Sequence, residues 1–202
     1  MTRGPVTWFT SDPHFGHKFV AELRNCPDVE THDERIHEGL NQSLKSGDIL
    51  YVLGDIDLSG RGDWSKHFSR IREVNELSAM HLIFGNHDAG WAGHRTSRKA
   101  QREYFDVFDS AQMYGQLGVN EDVFMLAHMP YFGDRRLYNN YRQWSPRDLG
   151  QPLLHGHTHS KIRLSMSPDG TPQIHVGIDA WDFSPVSAGQ ISTIMRSLGR
   201  NR

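Results

Sequence analysis

Five apolar, β-branched runs along this 202-residue chain, VTWFTSDPH, ILYVLGDID, MHLIFGNHD, VFMLAHMP and PLLHGHTH, each end in a cluster of Asp, His, Asn or Gly. Runs apolar on both faces are the pattern of strands buried within a sheet that is covered on both sides. Between the first two, Ile36, Leu40 and Leu44 recur at four-residue spacing in a polar segment, which predicts an amphipathic helix. Trp64, Phe68, Ile71, Val74 and Leu77 predict another between the second and third, with Asp63 placed to cap it. Strand and helix in alternation imply parallel pairing through helical crossovers, and IRLSM and QIHVGID around the turn SPDGTP predict an antiparallel hairpin. Ser187 with Gln190 fits a capping box ahead of a last helix carrying Ile191, Ile194 and Leu198. The fold class is therefore α/β with mixed sheets, expected as one domain over residues 1–202.

Composition narrows the partners. A net charge of -2 and a pI near 6.7 provide no global attraction to polyanions, so a grip on long nucleic acid is not expected and phosphate affinity must be local. The single cysteine, Cys26, forms no internal disulfide and no thiolate cluster. The N-terminus lacks the apolar core of a secretory signal, and no stretch approaches the roughly 20 apolar residues that span a bilayer. A soluble protein in a reducing cytoplasm, without membrane contact, is the expectation. The Arg-rich stretches holding Arg95, Arg98, Lys99 and Arg102, and Arg135, Arg136, Arg142 and Arg147, read as solvated loops or short helices, one of which is a candidate to grip phosphate.

In open α/β sheets, ligands collect beyond the carboxyl ends of the strands, so the polar ends of the five runs should converge on one crevice. Asp12 and His14, two apart on an extended strand end, would share a face and chelate one ion. Asp55 has two carboxylate oxygens with which to bridge two cations, Asn86 adds a neutral oxygen, and His128, His157 and His159 add imidazole nitrogens. This oxygen and nitrogen set suits manganese first, with iron or zinc as alternatives. Two divalent ions, less two carboxylates and one ionised water, leave roughly one positive charge to meet a phosphate.

SDPHFGH, GDID, GNHD, AHMP and GHTH stand in the order and rough spacing of the calcineurin-like metallophosphoesterase family, and VGIDAWDFSPVS resembles the closing segment of its small bacterial and phage members. The resemblance runs from about residue 6 to about residue 190. It implies a four-layer α/β/β/α sandwich of two mixed sheets flanked by helices. It also implies one metal on Asp12, His14, Asp55 and His159 and a second on Asp55, Asn86, His128 and His157. His87 would contact the phosphate and protonate the leaving oxygen, with Asp88 orienting its imidazole, and His17 and Asn86 would also bind substrate.

The expected activity is hydrolysis of a small phosphodiester, a cyclic or linear nucleotide, by hydroxide bridging two metals. The alternatives are a phosphomonoesterase or protein phosphatase on the same site, or a metal-binding scaffold without chemistry. Capping the helix that follows is the equal alternative for His17, Asp57 has a turn role as its ordinary reading, and His32, His37, His67, His81, His94, His155 and His175 read as surface or satisfied core residues, as Trp181 and Phe183 read as core.

Overall fold

The computed structural model describes residues 3–57, 63–133 and 141–199. Its first sheet, in the order β10-β1-β2-β3-β4, is built from β1 (Thr7–Thr10), β2 (Ile49–Val52), β3 (Ala79–Ile83) and β4 (Ser110–Gln112), all parallel, with β10 (Val186–Ser187) antiparallel at the edge. The second, in the order β5-β6-β7-β9-β8, joins β5 (Tyr114–Val119), β6 (Asp122–Ala127), β7 (Leu153–His155), β8 (Leu164–Met166) and β9 (Pro172–His175), with β6, β7 and β9 parallel. The predicted hairpin is β8 with β9, paired through Leu164 and Ile174, and Gly170 takes the left-handed backbone its turn needs.

Two apolar layers follow from this arrangement. Ile36, Leu40 and Leu44 of α2 (Val29–Ser43) and its end meet Trp64, Phe68 and Ile71 of α3 (Trp64–Asn75) and the Leu50, Val52, Met80 and Leu82 face of the first sheet. Between the sheets, Phe9, Leu53 and Ile83 meet Phe124, Leu126, Leu154 and Ile174. Each such side chain contributes roughly 1.5–3 kcal/mol on burial. The short helices α1 (Lys18–Leu23) and α4 (Ser97–Tyr104) join the first layer through Ala21 and Tyr104. Helix α5 (Ala188–Ser197) adds Ile191 and Met195 to the second. The expected sandwich of two mixed sheets flanked by helices is what forms, and Trp181 and Phe183 are buried core residues as predicted.

Several local expectations are corrected. Asp63 occupies the N-cap position of α3 without making a cap hydrogen bond, and its carboxylate instead meets Lys66 Nζ at 2.9 Å in solvent. Val74 is 58% exposed, because α3 turns its buried stripe through Phe68, Ile71 and Asn75. The capping box of α5 does form: Ser187 Oγ accepts from Gln190 N while Gln190 Oε1 accepts from Ser187 N. Strands β4, β5 and β10 were not legible as runs, since β4 and β10 are three and two residues long and glycines interrupt β5. Arg135 and Arg136 lie outside the described residues, and Arg95, Arg98, Lys99, Arg102, Arg142 and Arg147 are exposed. No helix among the described residues is long and apolar enough to cross a membrane.

The amino end of β2, opposite the crevice, is secured by Asp48, buried and accepting from Arg3 (2.6 Å), Val6 N (2.9 Å), Trp8 Nε1 (2.9 Å) and Lys45 N (3.0 Å). Burial pushes its pKa up, but these donors outweigh it and hold the carboxyl below the usual range. A depressed folded-state pKa stabilises above the unfolded value of about 4 and is lost as pH falls through the folded one. Asp48→Asn should therefore cost about 2 kcal/mol near neutral pH, as for hydrogen bonds to a charged group, with the deficit shrinking toward pH 3. Urea unfolding at both pH values measures this, and an equal deficit at both would contradict the role of the charge.

Candidate metal centre

Parallel register brings the carboxyl ends of β1, β2 and β3 side by side, Thr10 opposite Val52 and Val52 opposite Leu82, so the turns bearing Asp12, Asp55 and Asn86 are neighbours. The second sheet delivers His128 after β6 and His157 and His159 after β7 to the same edge. The two sheets are laced together there. Ser11 bridges to Gly177, His128 Nδ1 donates to Leu53 O at 2.7 Å, and His157 N donates to Asp12 Oδ1 at 3.0 Å.

Two triads result. The ligand atoms of Asp12, His14 and His159 all lie within 4.8 Å of one another, as do those of Asp55, His128 and His157. Asp55 Oδ2, 3.3 Å from His128 Nε2 in its own triad, is also 3.6 Å from His14 Nε2 of the first. Asn86 sits on the turn whose next residue, His87, donates its amide to Asp55 Oδ1 at 2.9 Å. The sequence-predicted metal residues are thus assembled at one edge.

The backbone route differs from the expected one. Asp12 and His14 do not share a face by strand alternation; both adopt left-handed φ, 58° and 50°, beyond the end of β1. Ten described non-glycine residues have positive φ, and five of them are Asp12, His14, Asp55, His157 and His159. Asp is among the residues that tolerate this region, as is His, yet such conformations persist only where surroundings over-determine them. Here Asp12 N bonds Gly54 O (2.9 Å), His14 N bonds Asp55 O (3.1 Å), and His157 N bonds both Asp12 oxygens (3.0 and 3.1 Å). A Cβ on Gly85 would collide with the Asp55 carboxylate and one on Gly156 with Asp12 Oδ2, so the turns approach as closely as glycine allows.

The donor set fits cations. His14 Nδ1 and Nε2, His128 Nε2 and Asn86 Oδ1 are buried without a hydrogen-bond partner, a costly arrangement unless a cation engages them. A backbone carbonyl only accepts, so His128 Nδ1 carries the hydrogen bonded to Leu53 O at 2.7 Å, and in the neutral imidazole Nε2 is the nitrogen with the lone pair. Burial drives His14 down to about 3. For His128, burial is opposed by the Asp55 and Asp12 carboxylates, which push it up to about 10: the pocket draws positive charge inward. Burial also raises Asp55, but His128 and His14 outweigh it and hold the carboxyl well below its usual range. Divalent ions satisfy that demand through oxygen and imidazole donors, with no thiolate among them.

At the mouth, His87 and His17 are half-buried, their rings 5.4 and 5.7 Å from that of His14. Although His17 is the N-cap of α1, its side chain makes no cap bond. Burial, then the neighbouring His87, holds its pKa below the ordinary histidine value. Asp88 does not follow its predicted role. Its oxygens accept the amides of Gly85 (2.7 Å), Ile56 (2.9 Å) and Asp55 (3.2 Å), so it fixes the turn of Asp55 rather than orienting the His87 imidazole. Burial, then the Asp55 carboxylate, pushes Asp88 well above the usual carboxyl range.

Sequence reasoning missed three supports. His94 Nε2 donates to Asn86 O at 3.0 Å, Asp179 Oδ2 lies 2.9 Å from His159 Nδ1, and Arg24 grips Asp179. Asp179 lies in the VGIDAWDFSPVS segment and follows β9 as the other site residues follow their strands, a usable signal; Arg24 had none. His155 and His175 are buried side by side, rings 5.3 Å apart, but they are not the satisfied core residues expected: His155 Nε2 and both ring nitrogens of His175 have no hydrogen-bond partner among the described residues.

Comparison with known proteins agrees with this geometry. The Gene 66 protein of Mycobacterium phage L5 is 37% identical over 185 residues, covering 87% of each chain. The Gene 66 protein of Mycobacterium phage D29 is 36% identical over 185 residues, 89% of this chain and 91% of that one. Among solved structures, a protein of unknown function from Aquifex aeolicus shares the fold, with a TM-score of 0.69 at 21% identity over 95% of this chain and 100% of the other. Residues 5–182 match the sequence pattern of the calcineurin-like phosphoesterases, and the chain belongs to that family.

Proposed function

We propose that the protein is a dinuclear metal-dependent phosphodiesterase acting on a small phosphodiester such as a cyclic or linear nucleotide. The observation that carries this reading is Asp55 Oδ2, 3.3 Å from His128 Nε2 within its own triad and 3.6 Å from His14 Nε2 of the other. Asp12, His14, His159 and Asp55 would hold one ion, and Asp55, Asn86, His128 and His157 the other, with manganese the first choice and iron or zinc the alternatives. Such ions lower the pKa of water to supply a nucleophile and offset phosphate charge.

The residues of this chain provide the rest. Asp88 and the Gly85 turn fix Asp55, and the His128 Nδ1 bond to Leu53 O fixes the tautomer that presents Nε2. His87, half-buried above His14 with its amide on Asp55 Oδ1, is placed to touch a bound phosphate and pass a proton to the departing oxygen. His17, beside it, flanks the same opening. A net charge of -2 favours a small substrate over a long polyanion.

Manganese-loaded protein should turn over bis-p-nitrophenyl phosphate faster than p-nitrophenyl phosphate. The reverse ranking would move the assignment to a monoesterase, and metal binding without any turnover would make the protein a scaffold. His87→Ala should keep its metal content, read by elemental analysis, while losing about 10²–10⁴-fold in kcat. Loss of metal in that variant would show that His87 is a ligand and not a proton donor.

A further inference from the structure

Arg24 and Asp179 stand apart from the proposed ligands yet touch the residues of one triad only. The Arg24 side chain is 5% exposed and that of Asp179 13%. Every donor of the guanidinium is used. Nε donates to Asp179 Oδ1 (2.9 Å); one terminal nitrogen donates to Asp179 Oδ2 (2.7 Å) and Asp12 O (2.8 Å); the other donates to Pro13 O (3.1 Å) and His32 Nε2 (3.0 Å). An arginine with all five N–H groups satisfied inside the protein has none left for a substrate phosphate. Its work is on the chain itself.

The partners extend that work to each member of the first triad. Asp12 is held through its carbonyl. His159 donates from Nδ1 to Asp179 Oδ2 at 2.9 Å, the carboxylate being its acceptor in preference to Arg24 at 3.4 Å, and this leaves Nε2 as the coordinating nitrogen. His14 is held from both sides in sequence. Arg24 takes the Pro13 carbonyl, and because Arg24 only donates, His32 accepts at Nε2 and donates from Nδ1 to Asp33 (2.8 Å), whose carboxylate accepts Gly16 N at 3.0 Å. The turn from Asp12 to Gly16, in which Asp12, His14 and Gly16 are left-handed, is therefore clamped by α1 and α2 through one guanidinium. The second triad has different supports, Leu53 O on His128 and Asp88 on the Asp55 turn.

We propose that Arg24 and Asp179 are a positioning pair for one metal alone, that of Asp12, His14 and His159, so that breaking the pair empties this half of the centre and leaves the half at Asp55, His128 and His157 loaded. The inference rests on the two-metal reading above. Arg24→Lys keeps the charge without the fork, Asp179→Ala removes the acceptor of His159, and Asp179→Asn keeps an acceptor oxygen while losing the charge.

Manganese titration of the whole protein, followed by electron paramagnetic resonance, reads both occupancy and coupling between ions. Wild type should take up two manganese ions as an exchange-coupled pair. Arg24→Lys and Asp179→Ala should bind one, as an isolated six-line signal, and Asp179→Asn should bind two with the weaker site loosened by about 10–100-fold. Circular dichroism establishes that each variant is folded; should either of the first two fail to fold, the loosening in Asp179→Asn decides. Variants that keep the coupled pair at wild-type affinity, or folded variants that lose both ions together, would overturn the inference while wild-type binding upholds the two-metal reading. A wild type that binds no coupled pair would overturn that reading and this inference with it.

Discussion

The Asp55 carboxylate is buried with one oxygen near both the His14 and His128 imidazoles and the other on the His87 amide, and the crevice is arranged around that charge. A buried carboxylate costs several kcal/mol unless opposite charge and hydrogen bonds meet it. The second buried carboxylate, Asp12, deepens the demand, and the two together push the pKa of His128 up to about 10 against the effect of burial. Carboxylates that favour positive charge on a buried imidazole favour a divalent cation in the same place, in exchange for the proton.

Such a site needs a scaffold that will not relax. The parallel β1-β2-β3 register and the lacing of both sheets at Ser11, Leu53 and His128 provide it. Left-handed backbone at five of the proposed ligands adds conformational cost at the crevice. Burial of Phe9, Leu53, Ile83, Phe124 and Leu154 between the sheets offsets it from directly beneath. Support is divided, with Arg24 and the two helices near it bracing one triad and Asp88 with the backbone of β2's trailing turn bracing the other.

Much of this was legible in the sequence, for definable reasons. Strands buried on both faces are long apolar runs, so β1, β2, β3, β6 and β7 announced themselves, and the polar residues that end them marked the crevice. The helix stripe of Ile36, Leu40 and Leu44 was equally plain. What escaped depends on tertiary context. Short edge strands such as β4 and β10 carry no periodicity, the left-handed turns at Asp12 and His14 depend on contacts with Gly54 and Asp55, and the amides of Gly85, Ile56 and Asp55 that Asp88 accepts come from turns its adjacency to His87 does not point to. Arg24 was invisible because its partners lie up to 155 residues away.

Anomalous scattering from crystals grown with manganese tests the central claim most directly. Two peaks about 3.5–4 Å apart, one on each side of Asp55, are predicted, the separation that a shared carboxylate and water allow. A single peak, or two too far apart for Asp55 to touch both, would contradict the account.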